Sequence, residues 1–320
     1  MGIKMKNYIV WLVLFLFIVF SGCSKDESNP VVPDTGGTGT VSGQVFSKNG
    51  LEKIQGASVT VENLNNSPQT FSDLEGKYTL SGVPTGSQNL LIQKGLFKSI
   101  VSVTVTEGAT VNAPAAQLEA SGKLGFVSGL YDNIQQIIRN NLGYSIDSLG
   151  ILDLRNTALL SNYKAIFINC GADEILIYDG QGMDALTNYI QNGGSIYASD
   201  WAGEFVEFMF PDKLTIETTG MSQVITAKIV DQNLKNFIGK ETVVIDYDLG
   251  GWGEVSFAGQ SVTTLLSADY TDYMGNNLTN KPLAVTFNHG AGKVIYTSFH
   301  NEANVTTDAI KVLIGFLYTL

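Results

Sequence analysis

The sequence is poor in cysteine, with only Cys23 and Cys170 in 320 residues. Two cysteines exclude a disulfide framework and a structural zinc site built from several thiolates. Basic residues are also scarce, since 19 Lys and Arg stand against 30 Asp and Glu, for a net charge of −11. Binding to nucleic acid needs a basic surface, so we expect no nucleic-acid partner.

Long apolar runs are absent except for thirteen residues at 8–20, which follow two lysines. A membrane-spanning helix needs about 20 apolar residues, so this run fits the core of a secretory signal better than an anchor. The sequence FSGC at 20–23 resembles the bacterial lipobox, whose cysteine is lipidated and becomes the new N-terminus. The resemblance implies a signal peptide over 1–22 and a lipid anchor on Cys23, whose acyl chains suffice for stable membrane attachment. The alternative is an ordinary signal peptide with an incidental cysteine.

The residues after Cys23 bear on location. Ser24 stands where an aspartate would favour retention in the inner membrane, so it indicates the outer membrane. The sequence SKDE at 24–27 is similar to the acidic export signal that places Bacteroidota lipoproteins on the cell surface. Residues 23–39 are mostly Ser, Asp, Pro, Gly and Thr, so they predict a flexible tether. We expect an outer-membrane lipoprotein that is surface-exposed or faces the periplasm.

From residue 40 to 120, short strands are predicted between closely spaced turns. Apolar and polar residues alternate over 41–46, 57–61, 77–80 and 100–105. Period-two patterning with Gly, Asn and Pro between the runs is typical of a β-sandwich. Three motifs resemble the carboxypeptidase regulatory-like family: IQGASV at 54–59, SDLEGKYTL at 72–80 and VPTG at 83–86. The resemblance implies a transthyretin-like sandwich without catalytic residues, used as a spacer or as a binding and stabilising module.

From residue 121 to 320, strands alternate with amphipathic helices. The run at 163–169 is almost continuously apolar, as expected of a strand buried on both faces. Helices are predicted from an Asp132 cap to Gly143, over 182–191, and from a cap at Thr306 or Thr307. This alternation predicts a doubly wound, mostly parallel sheet of flavodoxin-like order. The Gly-rich segment 213–281 is expected to extend that sheet or to roof the site.

Three stretches of this domain are similar to the class I glutamine amidotransferase-like superfamily, particularly its ThuA-like branch. They are YKAIFINCG at 163–171, the helix that ends at Gly193-Gly194 together with the strand behind it, and GAGKVIYTSFHNE at 290–302. In active members a cysteine on a sharp strand-to-helix elbow attacks an amide, and a histidine and a glutamate two residues later activate it. The resemblance assigns that pair to His300 and Glu302, and the oxyanion glycine to Gly171.

The elbow position falls at Asp200, where no cysteine is present. A carboxylate is a poor substitute for a thiolate at an amide carbonyl, so glutamine hydrolysis by the family's mechanism is not expected. Asp200, His300 and Glu302 form either an inherited structural network without catalysis or a hydrolase site. The pair Asp200-Trp201 is also similar to the haloalkane dehalogenase elbow, with His300 as base. A divalent cation on the three side chains is a further alternative, but no metal-ligand spacing supports it, and we predict neither metal nor cofactor.

Two other reactive side chains have simpler interpretations. Cys170 ends a strand with no helix directly after it to activate a thiolate, which favours a buried structural cysteine over a nucleophile. His289 lies in an Asn-His-Gly turn and is interpreted as a surface residue.

Aromatic and acidic residues gather in predicted loops of the α/β domain. They are Asp173, Glu174, Trp201, Tyr247, Asp248 and Trp252. Exposed tryptophans beside carboxylates suit stacking on a sugar and hydrogen bonding to its hydroxyls, and the alternative is that Trp201 and Trp252 pack against the core. Together with Gly171, they predict a non-catalytic protein that binds a carbohydrate or a partner protein, with a hydrolase as the alternative.

Overall fold

The computed structural model describes residues 36–301 and 306–320, except for the side chain of Leu176. The predicted signal peptide, the lipidation site Cys23, most of the tether and Glu302 lie outside the described residues. Within the described part of the chain, no helix has both the length and the apolar character needed to cross a membrane.

The N-terminal part is a sandwich of two β-sheets. Its strands are β1 (Thr38–Phe46), β2 (Ser58–Val61), β3 (Gln69–Phe71), β4 (Lys77–Pro84), β5 (Gly86–Lys94), β6 (Phe97–Val105), β7 (Thr110–Asn112), β8 (Ala116–Gln117) and β9 (Glu119–Ala120). One sheet has the order β4-β1-β7, with β8 also paired to β1, and the other has the order β3-β2-β5-β6-β9. Alternate residues of the strands, such as Val101, Val103 and Val105 in β6, are buried between the sheets. The predicted sandwich is confirmed.

The C-terminal part is an α/β domain. Its elements are β10 (Lys123–Val127), α1 (Ile134–Leu142), β11 (Asp147–Leu149), α2 (Thr157–Leu160), β12 (Tyr163–Ile168), α3 (Gly180–Gln191), β13 (Ser195–Ser199), α4 (Gly203–Met209), β14 (Leu214–Glu217), β15 (Gln223–Ile229), α5 (Gln232–Ile238), β16 (Thr242–Tyr247), β17 (Glu254–Ala258), β18 (Thr263–Thr271), β19 (Asn277–His289), β20 (Gly292–Thr297) and α6 (Thr307–Leu317). Short 3₁₀ turns occupy Ile151–Arg155, Glu174–Ile177 and Asp200–Ala202.

Nine strands form its main sheet in the order β11-β10-β12-β13-β20-β19-β18-β15-β16. The first five strands are parallel, and β20, β19, β18, β15 and β16 pair antiparallel. Numbered along the chain, the parallel strands have the order 2-1-3-4-5, which is the flavodoxin-like order. The predicted α/β fold is confirmed, with the sheet parallel in one half and antiparallel in the other.

Helices cover both faces of this sheet because successive strand residues point to opposite sides. Phe167 and Tyr197 belong to the apolar cluster that contains α1 and α6. Their neighbours Ile166 and Ile196 belong to the cluster that contains α3 and α4. The sheet is therefore doubly wound, and its strands are hydrophobic on both faces.

The start of α1 differs from the prediction. Asn133 occupies the N-cap position without a capping hydrogen bond from its side chain, and Asp132 lies just before it with its side chain buried. The carboxyl of Asp132 faces inward because it accepts hydrogen bonds from the backbone N–H groups of Asn133 and Asn301. The end of the helix is as predicted, since Gly143 takes a left-handed conformation with φ 79°.

The segment 213–281 extends the sheet and also roofs its edge. Strands β15, β16 and β18 lengthen the main sheet, whereas β14 and β17 pair with each other outside it. The loop at 248–253, which connects β16 to β17, folds back over the end of β13, where Gly253 N–H donates to Asp200. We call residues 248–253 the roof loop.

The sandwich and the α/β domain are parts of one compact unit, Gly37–Leu320. The ring of Phe97 in β6 lies 4.5 Å from that of Tyr144 and 5.0 Å from that of Tyr318. The hydroxyls of Tyr144 and Tyr318 are 2.9 Å apart in the same buried contact. The two domains therefore share a continuous apolar core.

Candidate functional site

The site lies where β13 ends. Ser195–Ser199 is buried throughout, and Asp200 follows with φ +47° before the chain turns into α4. A left-handed conformation is uncommon for residues other than glycine, although aspartate tolerates it better than most. The sharp strand-to-helix elbow is therefore present, with Asp200 at its corner.

The side chain of Asp200 is buried and fully engaged, since the residue is 3% exposed. Its Oδ1 accepts a hydrogen bond of 2.7 Å from the backbone N–H of Gly253. Its Oδ2 lies 3.1 Å from Nδ1 of His300 and 3.5 Å from the Sγ of Cys170, which donates to it. Asp200 and His300 thus meet as the sequence predicts, whereas Glu302 lies outside the described residues.

The other ring nitrogen of His300 faces a second carboxylate. Nε2 lies 3.4 Å from Oδ1 of Asp248 in the roof loop, and the Asp248 side chain is 32% exposed. The imidazole therefore lies between Asp200 and Asp248. Sequence reasoning grouped Asp248 with surface loops and missed this contact, because the path of the segment 213–281 cannot be derived from its pattern.

Cys170 is a buried residue next to Asp200 in the site. It follows β12, is 1% exposed, and its backbone N–H donates to Ser199 Oγ at 3.1 Å. Burial raises the pKa of the Cys170 thiol, and the neighbouring charge of Asp200 raises it further. The thiol is therefore protonated at neutral pH and is not an activated nucleophile.

A second buried carboxyl supports the elbow from within the fold. Oδ1 of Asp132 accepts hydrogen bonds from the backbone N–H groups of Asn301 at 2.8 Å and Asn133 at 2.9 Å, and Oδ2 accepts one from Ser199 Oγ. Burial raises the pKa of Asp132 to about 6, although these hydrogen bonds and nearby His300 act to lower it. The contacts tie α1, β13 and the segment after β20 together. The sequence around Asp132 is typical of a helix N-terminus, so the sequence predicts a cap there and not this buried contact.

A pocket of about 260 Å³ opens above the elbow. Its lining consists of Tyr131, Cys170, Asp200, Trp201, Leu249, Gly250, Trp252 and His300. Ligand pockets usually measure about 300–1,000 Å³, so this one suits a single small ring rather than an extended ligand. Its walls are mainly aromatic and apolar, with Cys170, Asp200 and His300 clustered among them.

The two tryptophans predicted to bind ligand differ in exposure. Trp201 is 39% exposed, its ring meets that of Tyr131 edge-on at 5.3 Å, and its Nε1–H donates to Gly251 O at 2.7 Å. Trp252 is 2% exposed and packs 4.2 Å from the ring of Tyr247, which is also buried. Trp252 is therefore a core residue, the alternative left open for it, and it also lines the pocket, whereas Tyr247 ends β16 and does not lie in a loop.

The remaining predicted residues lie on the segment after β12, and none of them is part of the pocket lining. Gly171 has φ +80°, and a Cβ there would lie 3.0 Å from the backbone nitrogen of Leu130. Asp173 caps the following 3₁₀ turn by accepting from Ile175 N–H. Partial burial and then the adjacent Glu204 carboxyl raise the pKa of Glu174. Binding roles for Gly171, Asp173 and Glu174 stay predictions.

Comparison with known proteins bears on both domains. Residues 40–119 match the family described as the carboxypeptidase regulatory-like domain, which confirms the resemblance predicted from the turn motifs. No curated protein sequence matches the chain.

Several solved structures are similar to this chain in fold. A ThuA-like protein from Bacteroides uniformis is 14% identical with a TM-score of 0.46, over 62% of this chain and 91% of that one. A ThuA-like protein from Parabacteroides merdae is 14% identical with a TM-score of 0.44, over 62% and 89%. A protein described as part of a GMP synthase, from Thermoplasma acidophilum, is 14% identical with a TM-score of 0.44, over 61% and 92%. No activity follows from these similarities.

Proposed function

We propose that the chain is an outer-membrane lipoprotein whose α/β domain binds a carbohydrate without converting it. The membrane attachment is a lipid on Cys23, and the sandwich supports the binding domain through the core that the two share. The proposal needs no cofactor. The amidotransferase-like domain is a scaffold that has lost the nucleophilic cysteine, since the elbow residue is Asp200.

The observation that carries the non-catalytic proposal is the engagement of Asp200. A carboxylate nucleophile must present a free oxygen to the substrate. Here Oδ1 accepts a hydrogen bond from Gly253 N–H, and Oδ2 faces both His300 and Cys170. Only 3% of the surface of Asp200 is exposed to solvent. Attack by Asp200 would require Oδ2 to leave His300 and Cys170. The arrangement favours a rigid pocket floor over a reacting group.

The pocket walls support a carbohydrate as ligand. The partly exposed Trp201 and the adjacent Tyr131 offer aromatic surface to the apolar face of a sugar ring. His300 in the pocket lining and the partly exposed Asp248 beside it offer hydrogen-bonding groups for hydroxyls. The chain has a net charge of −11, which disfavours an anionic ligand and leaves neutral or cationic sugars.

A second candidate function is hydrolysis at Asp200, His300 and Glu302. The observation that favours it is the elbow itself, since Asp200 has a φ of +47° and lies 3.1 Å from His300. Backbone conformations of this kind cluster at active sites. The two functions differ in whether a bound sugar is consumed.

The test is a saccharide titration followed by tryptophan fluorescence. The purified chain is titrated with neutral, amino and acidic monosaccharides and short oligosaccharides, and each mixture is then analysed for cleavage products. We expect a neutral or amino sugar to change the emission and to be recovered intact. In calorimetry, which does not depend on the deleted tryptophan, Trp201→Ala should remove binding, while Phe208→Ala, a matched control on the exposed face of α4, should keep it.

Two results would contradict the proposal. Consumption of a glycoside by wild type, lost in Asp200→Asn, would establish the hydrolase. Equal binding by wild type and Trp201→Ala would place the ligand elsewhere. The membrane attachment is tested separately by metabolic labelling with a radioactive fatty acid, where Cys23→Ser should abolish incorporation and Cys170→Ser should not.

A further inference from the structure

Three side chains of different chemistry converge beneath the pocket. Sγ of Cys170, a carboxylate oxygen of Asp200 and a ring nitrogen of His300 all lie within 4.8 Å of one another. Each comes from a different part of the chain: the end of β12, the elbow after β13 and the segment after β20. The pattern of the sequence assigned no ligand role to Cys170, so this set arises only from the fold.

Two of the three donor spacings are close to those around a tetrahedral zinc ion, and the third lies within 4.8 Å. Zinc binds sulfur at about 2.3 Å and nitrogen or oxygen at about 2.0–2.2 Å, which places neighbouring donors about 3.3–3.6 Å apart. Oδ2 of Asp200 lies 3.5 Å from the Cys170 sulfur and 3.1 Å from Nδ1 of His300. An ion could therefore be held by small side-chain adjustments, without movement of the strands.

The groups behind the ligands are also arranged as at zinc sites. A histidine that binds a metal nearly always donates its other N–H to a carboxylate or carbonyl, which fixes the tautomer. Nε2 of His300 lies 3.4 Å from Oδ1 of Asp248, so with a metal on Nδ1 the Nε2 proton would have that carboxylate as its acceptor. The second oxygen of Asp200 is fixed by Gly253 N–H at 2.7 Å. Two of the three proposed ligands, His300 and Asp200, are thus oriented by contacts to the roof loop.

Charge and access favour a cation here. Asp132 and Asp248 add carboxyl groups near the cluster, and a zinc ion would take the place of the proton between His300 and Asp200. All three donor residues line the pocket of about 260 Å³, so a fourth coordination position would face its interior. A mixed set of thiolate, imidazole and carboxylate suits zinc better than calcium or magnesium, which prefer oxygen ligands.

We infer that Cys170, Asp200 and His300 form a zinc site with one coordination position open to the pocket. Binding forms Zn–S, Zn–O and Zn–N bonds, the Cys170 thiol proton passes to solvent, and Nδ1 binds in its unprotonated form. The inference replaces the expectation that the chain binds no metal. It does not rest on the proposed carbohydrate binding, because metal binding is measured without sugar.

The experiment uses cobalt and zinc on the full chain carrying Cys23→Ser, so that Cys170 is its only thiol. After treatment with a chelator, the protein is titrated with Co²⁺ and followed by absorption, and then with Zn²⁺ by calorimetry. We expect one ion per chain and a thiolate-to-cobalt charge-transfer band, which zinc removes on displacing cobalt. Cys170→Ser should lose that band, and Cys170→Ser, Asp200→Asn and His300→Gln should each bind zinc at least about tenfold more weakly.

His289→Gln is the matched control, because His289 is the chain's other histidine and lies outside the cluster. It should bind zinc as the parent does. Asp248→Asn should keep one ion but bind it about tenfold more weakly, as expected for a group that orients a ligand. Absence of the charge-transfer band in the parent overturns the inference even where a variant fails to fold. So does a zinc affinity that His289→Gln lowers and Cys170→Ser leaves unchanged.

Discussion

Two buried aspartates lie at the same edge of the sheet and differ in what surrounds them. Asp132 and Asp200 are each 3% exposed. Asp132 accepts its hydrogen bonds from Ser199 and from the backbone at Asn133 and Asn301, and it has no part in the pocket lining. Asp200 lines the pocket and faces His300 and Cys170, groups that can bind ligands or metal. Equal burial therefore conceals different roles.

The difference lies in what each carboxyl holds in place. Removal of the Asp132 carboxyl would leave the buried Asn301 N–H without an acceptor and would break its contacts to Asn133 and Ser199. The partners of Asp200 include a histidine and a thiol that have alternative arrangements. We therefore treat Asp132 as a structural residue and Asp200 as part of a binding site, and four predictions test this distinction.

The largest effect is expected from Asp132→Ala. It removes three hydrogen bonds to a buried carboxyl and leaves the Asn301 N–H without its acceptor, whereas the Asn133 N–H keeps Asn301 O and the Ser199 hydroxyl keeps Ile168 O. A buried unsatisfied group costs about 1–3 kcal/mol and a lost hydrogen bond to a charged group about 1.5–3 kcal/mol, so the free energy of unfolding should fall by about 3 kcal/mol. Urea unfolding measures it. Asp184→Ala, on the exposed face of α3, should change it by less than about 0.5 kcal/mol. Equal losses in the two variants would remove the structural role of Asp132.

The second effect is expected in how the free energy of unfolding depends on pH, because Asp132 titrates differently in the folded and unfolded protein. Burial raises the pKa of Asp132 from 3.8 to about 6, so the folded protein holds this proton more tightly than the unfolded chain does. The folded state then binds more protons between pH 4 and 6, and the contribution of Asp132 to stability falls as pH rises through that window, by about 3 kcal/mol. Asp132→Asn should lack this fall. Parallel pH profiles of the two proteins in urea unfolding would show that Asp132 is not the titrating group.

A smaller effect is expected at the roof loop. The hydroxyl of Tyr296 donates to Gly253 O at 2.9 Å and helps to hold the loop over Asp200. Tyr296→Phe should lower the free energy of unfolding by about 1 kcal/mol and speed hydrogen exchange in residues 248–253. Tyr163→Phe removes a hydroxyl that bonds Asp147 at the far edge of the sheet, and it should leave exchange in the roof loop unchanged. Unchanged exchange in Tyr296→Phe would show that the loop is held by other contacts.

The smallest effect is expected from Asp200→Asn in metal-free protein. The amide oxygen can still accept from Gly253 N–H, and its NH₂ group can donate to His300 or Cys170 in place of the carboxylate contacts. The free energy of unfolding should change by less than about 1 kcal/mol in urea. A loss as large as that of Asp132→Ala would place Asp200 in the structural network and weaken the proposed site.

The hydrophobic pattern of the sequence predicts the helices and strands better than it predicts the contacts of the candidate site. Strand β12 was recognisable because a near-continuous apolar run is typical of a doubly covered strand, and the elbow followed from a buried strand that ends at Asp200. The meeting of Asp200 with His300 followed from a general rule, since neighbouring parallel strands bring their carboxyl ends together. These inferences need periodicity and chain order alone.

The missed contacts depend on long-range packing. Asn301 reaches Asp132 across 169 residues, and Gly253 reaches Asp200 across 53. The roof loop belongs to the segment 213–281, whose strands join the sheet in the order β19-β18-β15-β16, which differs from their order in the chain. With this strand order the roof loop packs on the core and Trp252 is buried. No local sequence pattern specifies the strand order. The same folding brings Asp248 to His300.

The most direct test of the central claim compares sugar binding and sugar consumption in wild type and Asp200→Asn, both kept metal-free with a chelator. If the carboxyl of Asp200 is a pocket floor, both proteins bind the selected saccharide with affinities within about threefold, under about 1 kcal/mol, and both return it intact. If wild type consumes the saccharide and Asp200→Asn binds it without turnover, Asp200 is a catalytic residue and the protein is a hydrolase.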